Sequence, residues 1–306
     1  MSEIELHRKL LGDTVRNQAF HAALKAVIRP GVTTVADLGA GTGFLSFLAR
    51  QLGARHCTLV EYSEALELAE QLARANRIDG LSFIHGHSAE LRKPPQVDVV
   101  VSETLGNYAL EEGLLETLVD ARRYLKPGGV LIPGRLRQFV APVSAPRLQQ
   151  ELDIWPGVGF GLDFSAARTV SLNNLYVKAV QRQDLGGAAQ CWDDLDLAAG
   201  PPSRRSHTCT WDRLEATIHG LALWWEAELV PGILLSTAPD APPTHWEQIY
   251  LPLLKPCVLE SGDQLELTLS SDTRPDVGLR VGWRTRQLRG GKVLSDQTQD
   301  SLRGRL

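Results

Sequence analysis

A change of pattern near residue 134 constrains the fold of this chain more than any other feature. Before it, short apolar runs at 35–38, 58–61, 81–84, 97–102 and 130–133 read as strands. The segments between them carry Leu and Ala at helical spacing, as in Ala65, Leu66, Ala69, Leu72 and Ala73. Strand and helix in repetition predict a parallel sheet covered on both faces. Beyond residue 134 the period becomes two: Leu265, Leu267 and Leu269 alternate with Gln264, Glu266, Thr268 and Ser270, with further strand-like runs at 221–229, 246–254 and 279–288. One polar and one apolar face predict antiparallel strands in a sandwich or barrel. Turn residues concentrate from Lys126-Pro127-Gly128-Gly129 to Pro133-Gly134, which sets the expected division at 1–134 and 135–306. The segment 155–179, rich in Gly, aromatic and small residues, is long for a loop inside a compact domain and reads as functional or interfacial. The tail from Arg289 is polar and is expected to be loose.

The chain has 306 residues, enough for two domains, with 43% hydrophobic and 22% charged residues, which excludes a disordered or fibrous class. A formal net charge of −4 argues against a nucleic-acid backbone as partner and suits a cationic one better. Cys57, Cys191, Cys209 and Cys257 are far apart and form no C-x-x-C pair, so they read as reduced, buried thiols with no zinc site. Charge at Glu3 and Glu5 argues against a signal peptide, and no uncharged apolar stretch approaches the roughly 18 residues of a membrane span. The expectation is a soluble, cytoplasmic protein without nucleic-acid, membrane or metal partners.

Val35-Ala36-Asp37-Leu38-Gly39-Ala40-Gly41-Thr42-Gly43 places a glycine-rich turn between the first strand and a helix. There the backbone can approach a ligand, and the helix N-terminus favours a negative group. Such turns also occur as plain connections, so a second signal matters. Glu61 closes the second strand 24 residues after Asp37, where a carboxylate can accept both hydroxyls of a ribose. The third strand ends at Gly86-His87-Ser88-Ala89-Glu90, a place for adenine contacts through Ser88 and Ala89. The spacing G-x-G-x-G differs from the dinucleotide fingerprint, and no P-loop occurs. The pattern resembles the S-adenosylmethionine site of class I methyltransferases, with Asp37, Gly39, Gly41, Gly43 and Glu61 as cofactor residues.

The fourth strand leads into Ser102-Glu103-Thr104-Leu105-Gly106-Asn107-Tyr108-Ala109-Leu110-Glu111-Glu112 at the carboxyl end of the sheet, where open α/β folds place ligands. Glu103 and Glu112, nine positions apart around a glycine, can close a loop whose ends both face the cofactor's methyl group. The plainer reading is one strand-end acid followed by first-turn helix acids at Glu111 and Glu112. On the residues alone the two readings are equal.

Three further segments bear on the choice. His7-Arg8-Lys9-Leu10-Leu11-Gly12-Asp13-Thr14-Val15-Arg16, the 102–112 loop, and Thr244-His245-Trp246 preceded by Ser236-Thr237-Ala238-Pro239 together resemble the protein arginine methyltransferase family, in the right order over roughly 5–285. The resemblance implies a Rossmann-like methyltransferase sheet, an antiparallel β-barrel, and a dimerisation arm inserted early in the barrel, here 155–179. It implies S-adenosylmethionine as cofactor and an arginine-containing protein or peptide as acceptor. By motif, Glu103 and Glu112 match the family's two loop carboxylates, Asp13 and His245 its Asp-His pair, Arg16 a cofactor contact and Trp246 a wall of the acceptor site. Glu103 also faces the cofactor. Without this context a histidine beside a tryptophan reads as packing. Tyr108 is placed on the acceptor pocket, the other reading being a cover for the core. His7, His85 and His87 gain no such support. Family methionines near the acceptor are replaced by Leu10 and Leu114, and Asn107 stands where an aromatic is common, so the product class stays open. An N-methyltransferase of a small guanidine- or amine-bearing metabolite or peptide natural product, and a non-catalytic cofactor-binding dimer, remain as alternatives.

The chemistry explains why two carboxylates are wanted. A guanidinium stays protonated at physiological pH, and its delocalised charge makes each nitrogen a poor nucleophile. Bidentate bonds to carboxylates orient the planar fork and draw positive charge toward the nitrogens they hold, which leaves the remaining nitrogen better able to attack.

Overall fold

The computed structural model describes residues 3–111 and 113–305. Glu112 therefore lies outside the described residues. Five strands, β1 (Thr34–Leu38), β2 (His56–Glu61), β3 (Leu81–His85), β4 (Val97–Val101) and β5 (Leu125–Ile132), form a parallel sheet in the order β3-β2-β1-β4-β5. The strand order reverses between β1 and β4, and in such sheets the crevice beyond their carboxyl ends is the ligand site. The glycine turn follows β1 and the acidic loop follows β4, so this reversal brings them together. Four of the five residues of β1 and β4, and five of the six of β2, are buried, as a sheet covered on both faces requires. The Lys126-Pro127-Gly128-Gly129 cluster does not end the strand. It bulges out of β5, where the register jumps from Val97↔Leu125 to Val99↔Val130.

Helices α1 (Glu3–Gly12) and α2 (Thr14–Val27) precede the sheet, and α3 (Phe44–Gln51), α4 (Ala65–Ala75) and α5 (Leu114–Ala121) connect its strands. Asp13 caps α2, its Oδ1 accepting from Arg16 N at 2.9 Å. Arg16, Phe20, Ala23 and Leu24 form the buried stripe of α2.

Antiparallel structure begins with β6 (Arg135–Val143), after Ile132-Pro133-Gly134. Helix α6 (Pro146–Leu152), helix α7 (Ser165–Ser171) and strand β7 (Tyr176–Lys178) follow, then β8 (Gln190–Asp196), β9 (Arg204–Asp212), β10 (Thr217–Val230), β11 (Ile233–Ser236), β12 (Gln248–Val258), β13 (Asp263–Asp272), β14 (Arg280–Arg289) and β15 (Lys292–Asp300). One sheet runs β7-β12-β10-β6-β8 with β11 on β10, and the other runs β15-β14-β13-β9. Side chains join their edges. Gln297 on β15 exchanges two 2.8 Å bonds with the Lys255 backbone on β12. Across the other gap Arg205 on β9 donates to Asp193 on β8 at 2.8 Å. The result is a barrel-like body around Leu251, Leu253, Leu265, Leu267, Leu269 and Trp283.

Two expectations are corrected. The segment from Arg289 is not loose: it is strand β15 and a final 3-10 turn, Ser301–Gly304, tied to the end of α7 by Asp300 N on Asn173 Oδ1 at 2.9 Å and Asn174 Nδ2 on Gly304 O at 3.1 Å. Its inward residues are Gln297 and Gln299, which reach their partners by hydrogen bonds instead of apolar contact. Second, all four cysteines are free thiols, but Cys191 is exposed, because it sits on the solvent-facing side of β8.

Within 155–179, Arg168 on α7 fixes the base of the excursion with bonds of 2.7 and 2.6 Å to Asp153 and one of 3.0 Å to Leu254 O. Its tip carries Phe160, 96% exposed, and Leu162, also exposed.

Candidate active site

At the start of α2 one carboxylate does three things. Besides capping the helix, Asp13 accepts through Oδ2 from His245 N at 2.7 Å and from His245 Nδ1 at 2.8 Å. The bond to an ionised carboxylate assigns the proton to Nδ1 and leaves Nε2 with its lone pair. Burial would raise the Asp13 pKa, but the N–H groups of Arg16 and His245 outweigh it and hold the group below its ordinary value. Burial of His245 pushes its pKa below the ordinary 6.5, against the opposing pull of Asp13 and Glu103. The imidazole is therefore neutral near pH 7 and able to accept a proton.

One turn into α2, Arg16 donates to Glu103 Oε2 through Nε at 2.7 Å and again through Nη2. The two side chains are only 7% and 5% exposed. The other Glu103 oxygen, Oε1, accepts from Leu105 N at 3.2 Å. Thus α2 positions both members of the Asp13–His245 pair and the first acid of the loop.

The loop is drawn tight. Gly106 and Ala109 exchange backbone bonds of 3.3 and 2.8 Å, and the Glu111 side chain folds back over Gly106 so that its Oε1 accepts from Tyr108 N at 3.2 Å. A Cβ on Gly106 would come within 2.2 Å of Glu111 Cγ, which explains the glycine there. Glu111 is thereby engaged in closing its own turn.

From the barrel side, Trp246 Nε1 donates to Leu105 O at 2.7 Å and Trp225 Nε1 to Gly106 O at 3.1 Å. The two indoles meet edge to face at 4.9 Å, and the His245 ring lies 3.8 Å from that of Trp246. Trp246, expected to wall the acceptor site, is buried behind the loop. Tyr108 is a correction: it is 1% exposed, with its ring in the apolar core and its hydroxyl near Gln138, Asp193, Arg205 and Ser271. An aromatic beside an apolar barrel gains more by entering it than by standing in an open pocket.

At the cofactor turn, Gly39, Gly41 and Gly43 have φ of 72°, 51° and 81°, the left-handed region that glycine adopts without strain. A Cβ on Gly41 would come within 2.6 Å of His7 Cε1, so the turn is bare backbone beneath α1. The Glu61 carboxylate accepts from Gly41 N at 2.8 Å and Ser63 N at 2.9 Å, one bond per oxygen, which leaves acceptor capacity on both. These features fit S-adenosylmethionine. Asp37 lies beneath the turn, its Oδ2 accepting from Ser46 N and Oγ at 3.1 and 2.8 Å, and burial pushes its pKa up to about 7. Ser88 and Ala89 begin a 3-10 turn after β3, and Tyr124 Oη donates to Ser88 O at 2.8 Å.

Sequence reasoning passed over two residues. His7 gains no weight in the sequence because the glycine turn that its ring lies over is remote in the chain. Trp225 looks like any core tryptophan in a strand, and no local signal marks its N–H as directed at Gly106. Among the described residues no group of three or more His, Cys, Asp or Glu could hold a metal ion.

A parallel sheet with a glycine turn, a strand-end acid and an acidic loop at its reversal point defines a Rossmann-like methyltransferase. Residues 31–179 match the family model of a methyltransferase domain, and residues 137–281 that of the arginine methyltransferase oligomerization subdomain. Protein arginine N-methyltransferase 6 of Xenopus tropicalis is 31% identical, over 90% of this chain and 86% of that protein. The histone-arginine methyltransferase CARMER of Culex quinquefasciatus is 30% identical, over 87% of this chain and 47% of that protein. Among solved structures, a Trypanosoma brucei PRMT1 enzyme-prozyme complex with AdoHcy superposes with a TM-score of 0.86 at 23% identity, covering 96% and 97% of the two chains. The chain belongs to the protein arginine N-methyltransferase family, and its cofactor is that of the class, S-adenosylmethionine.

Proposed function

We propose that this enzyme methylates a guanidinium nitrogen of arginine in a protein or peptide, with Glu103 and Glu112 holding the guanidinium and His245 taking the released proton. The observation that carries the reading is the junction at the start of α2. There Asp13 orients His245, and Arg16, three residues on, pairs with Glu103. S-adenosylmethionine, when bound at Gly39, Gly41, Gly43 and Glu61, would supply a methyl already activated by its sulfonium, the S–CH3 bond breaking with its electron pair left on sulfur as a neutral thioether. Arg16, a permanent cation, keeps negative charge on Glu103 favourable in a buried place. Among the described residues Glu103 Oε1 accepts one bond, from Leu105 N at 3.2 Å, and has room to accept from the guanidinium. Drawing charge toward the held nitrogens leaves the third with more lone-pair character, and in-line positioning completes the contribution. As the new N–C bond forms, the nitrogen's proton passes to Nε2 of His245, the free face of a ring whose Nδ1–H is held by Asp13.

The same reading makes the enzyme a cytoplasmic homodimer, with the 155–179 excursion as its arm. The support is the oligomerization-subdomain match and the exposed Phe160 and Leu162 at the tip.

Glu103→Gln and Glu112→Gln test the mechanism. Each is expected to lower methyl transfer to an arginine peptide at least a hundredfold at saturating S-adenosylmethionine, and in Glu112→Gln the cofactor Kd is expected to stay within a few fold. Wild-type turnover in either variant refutes it. Peptidyl arginine methylated no better than free arginine or small guanidines refutes the acceptor class.

A further inference from the structure

We infer that Trp225 is a positioning residue of the reaction, clamping the acidic loop from the barrel so that Glu103 stands at a fixed depth in the site. The indole donates to Gly106 O at 3.1 Å, and Trp246 donates to the adjacent carbonyl, Leu105 O, at 2.7 Å. Two neighbouring peptide groups, two and three residues after Glu103, are thus held by indole donors, one from strand β10 and one from the segment that leads into β12. A barrel strand locates a group better than a loop can locate itself.

Trp225 also adjoins the second donor, through its main chain and through its ring. Its backbone is clasped by Thr237, which accepts from Trp225 N through Oγ1 at 3.1 Å and donates its own N–H to Trp225 O at 3.0 Å. Thr237 opens the segment that ends in His245 and Trp246, and Gln248 Nε2 fixes that segment's start by a 2.9 Å bond to Thr237 O. The edge-to-face contact of the two indoles at 4.9 Å completes the circuit. The side chain in the middle of β10 therefore bears directly on the loop that carries Glu103 and, through its ring, on Trp246 beside His245. A buried tryptophan N–H ordinarily finds some acceptor, and a purely structural bond would serve folding alone. Here the acceptor is unusual in not needing it, because Gly106 O also receives Ala109 N at 2.8 Å.

That redundancy makes the test clean. Trp225→Phe keeps an aromatic ring and removes the donor, and Gly106 O keeps a partner, so the protein is expected to stay folded with its melting temperature within a few degrees of wild type. The control is Trp224→Phe, on the opposite face of the same strand, where the ring stacks on Phe139. With an arginine peptide and S-adenosylmethionine, Trp225→Phe is expected to lower kcat about tenfold or more, with KM for the peptide and Kd for the cofactor within about twofold, while Trp224→Phe retains wild-type kcat. Wild-type kcat in Trp225→Phe, or an equal loss in both variants, overturns the inference. It rests on the reading of Glu103 as the acceptor's carboxylate. If that reading fails, Glu103→Gln retains turnover; if only the clamp fails, Glu103→Gln is inactive and Trp225→Phe is not impaired.

Discussion

Asp13→Asn separates the geometric from the chemical work of one carboxylate. In the wild type, Oδ1 accepts from Arg16 N, and Oδ2 accepts from both His245 N and His245 Nδ1. An amide offers one oxygen. With that oxygen on the helix cap, where Asn is as good as Asp, the NH2 faces His245. It cannot accept from His245 N, so one buried backbone donor loses its partner, at a cost of about 1–3 kcal/mol. It can donate to Nδ1, which drives the imidazole into the other tautomer and puts the proton on Nε2. The ring then has no lone pair toward the acceptor. Positioned general bases contribute about 10²–10⁴-fold, and an Asp-to-Asn change that fixes the wrong tautomer in a serine protease costs about 10⁴. The expected loss in kcat is therefore about 10²–10⁴, with cofactor Kd nearly unchanged. Steady-state kinetics against pH measure it, and ¹⁵N spectra of the imidazole read the tautomer directly. In the wild type, the acid limb of kcat is expected below pH 6.5, because burial lowers the His245 pKa and the rate falls only as the ring protonates. A variant within threefold of wild-type kcat, with the Nε2–H tautomer established, would refute the assignment of His245 as proton acceptor.

Other expectations follow from buried charge and exposed surface. Asp37 has a folded pKa of about 7 against 3.8 unfolded, so the native state takes up a proton between these values and loses stability as pH rises through them. Asp37→Asn should thus gain in melting temperature relative to wild type at pH 8 but much less at pH 5, and a pH-independent difference would contradict the placement of this carboxyl. Asp193→Ala removes the partner of Arg205 in a pair 7% and 8% exposed, and a buried unpaired guanidinium should cost about 3–5 kcal/mol in urea unfolding. A loss under about 1 kcal/mol would mean that water reaches the pair. Phe160→Asp combined with Leu162→Asp should halve the mass measured by light scattering, and an unchanged mass would sink the arm.

The parts of the site that lie in one local segment were legible in the sequence. The glycine turn, Glu61 and Glu103 sit at strand ends, where the parallel-sheet pattern by itself puts ligand groups. Asp13, Arg16 and His245 came only through family resemblance, since no periodicity relates residue 13 to residue 245. Tyr108 was misplaced because spacing along a loop does not tell which way a side chain turns, and the barrel that receives it is formed by residues far along the chain. Strand β15 escaped because its buried positions are glutamines bonded to the backbone of β12 and to Leu172, and hydrophobic alternation cannot report an inward face made of amides. The sequence places the last parallel strand only at 130–133, after the Pro-Gly-Gly cluster, because turn residues look alike whether they precede a strand or bulge out of one that began at Leu125.

The dependence of α2 and the acidic loop on partners far along the chain affects how the protein is made. Synthesis is vectorial, and the parallel sheet, with its glycine turn and Glu61, emerges first and can begin to fold as a unit. At that stage Asp13 has no histidine to orient, and the carbonyls of Leu105 and Gly106 have no indoles. Those arrive only with residues 225–246. With His245 and Glu103 acting as proposed, the site is incomplete until residues 225–246 have been made and the barrel strands have met the loop. Ribosome-stalled chains ending before residue 225 should show no methyl transfer to an arginine peptide, and transfer by such chains would show that the sheet alone completes the site.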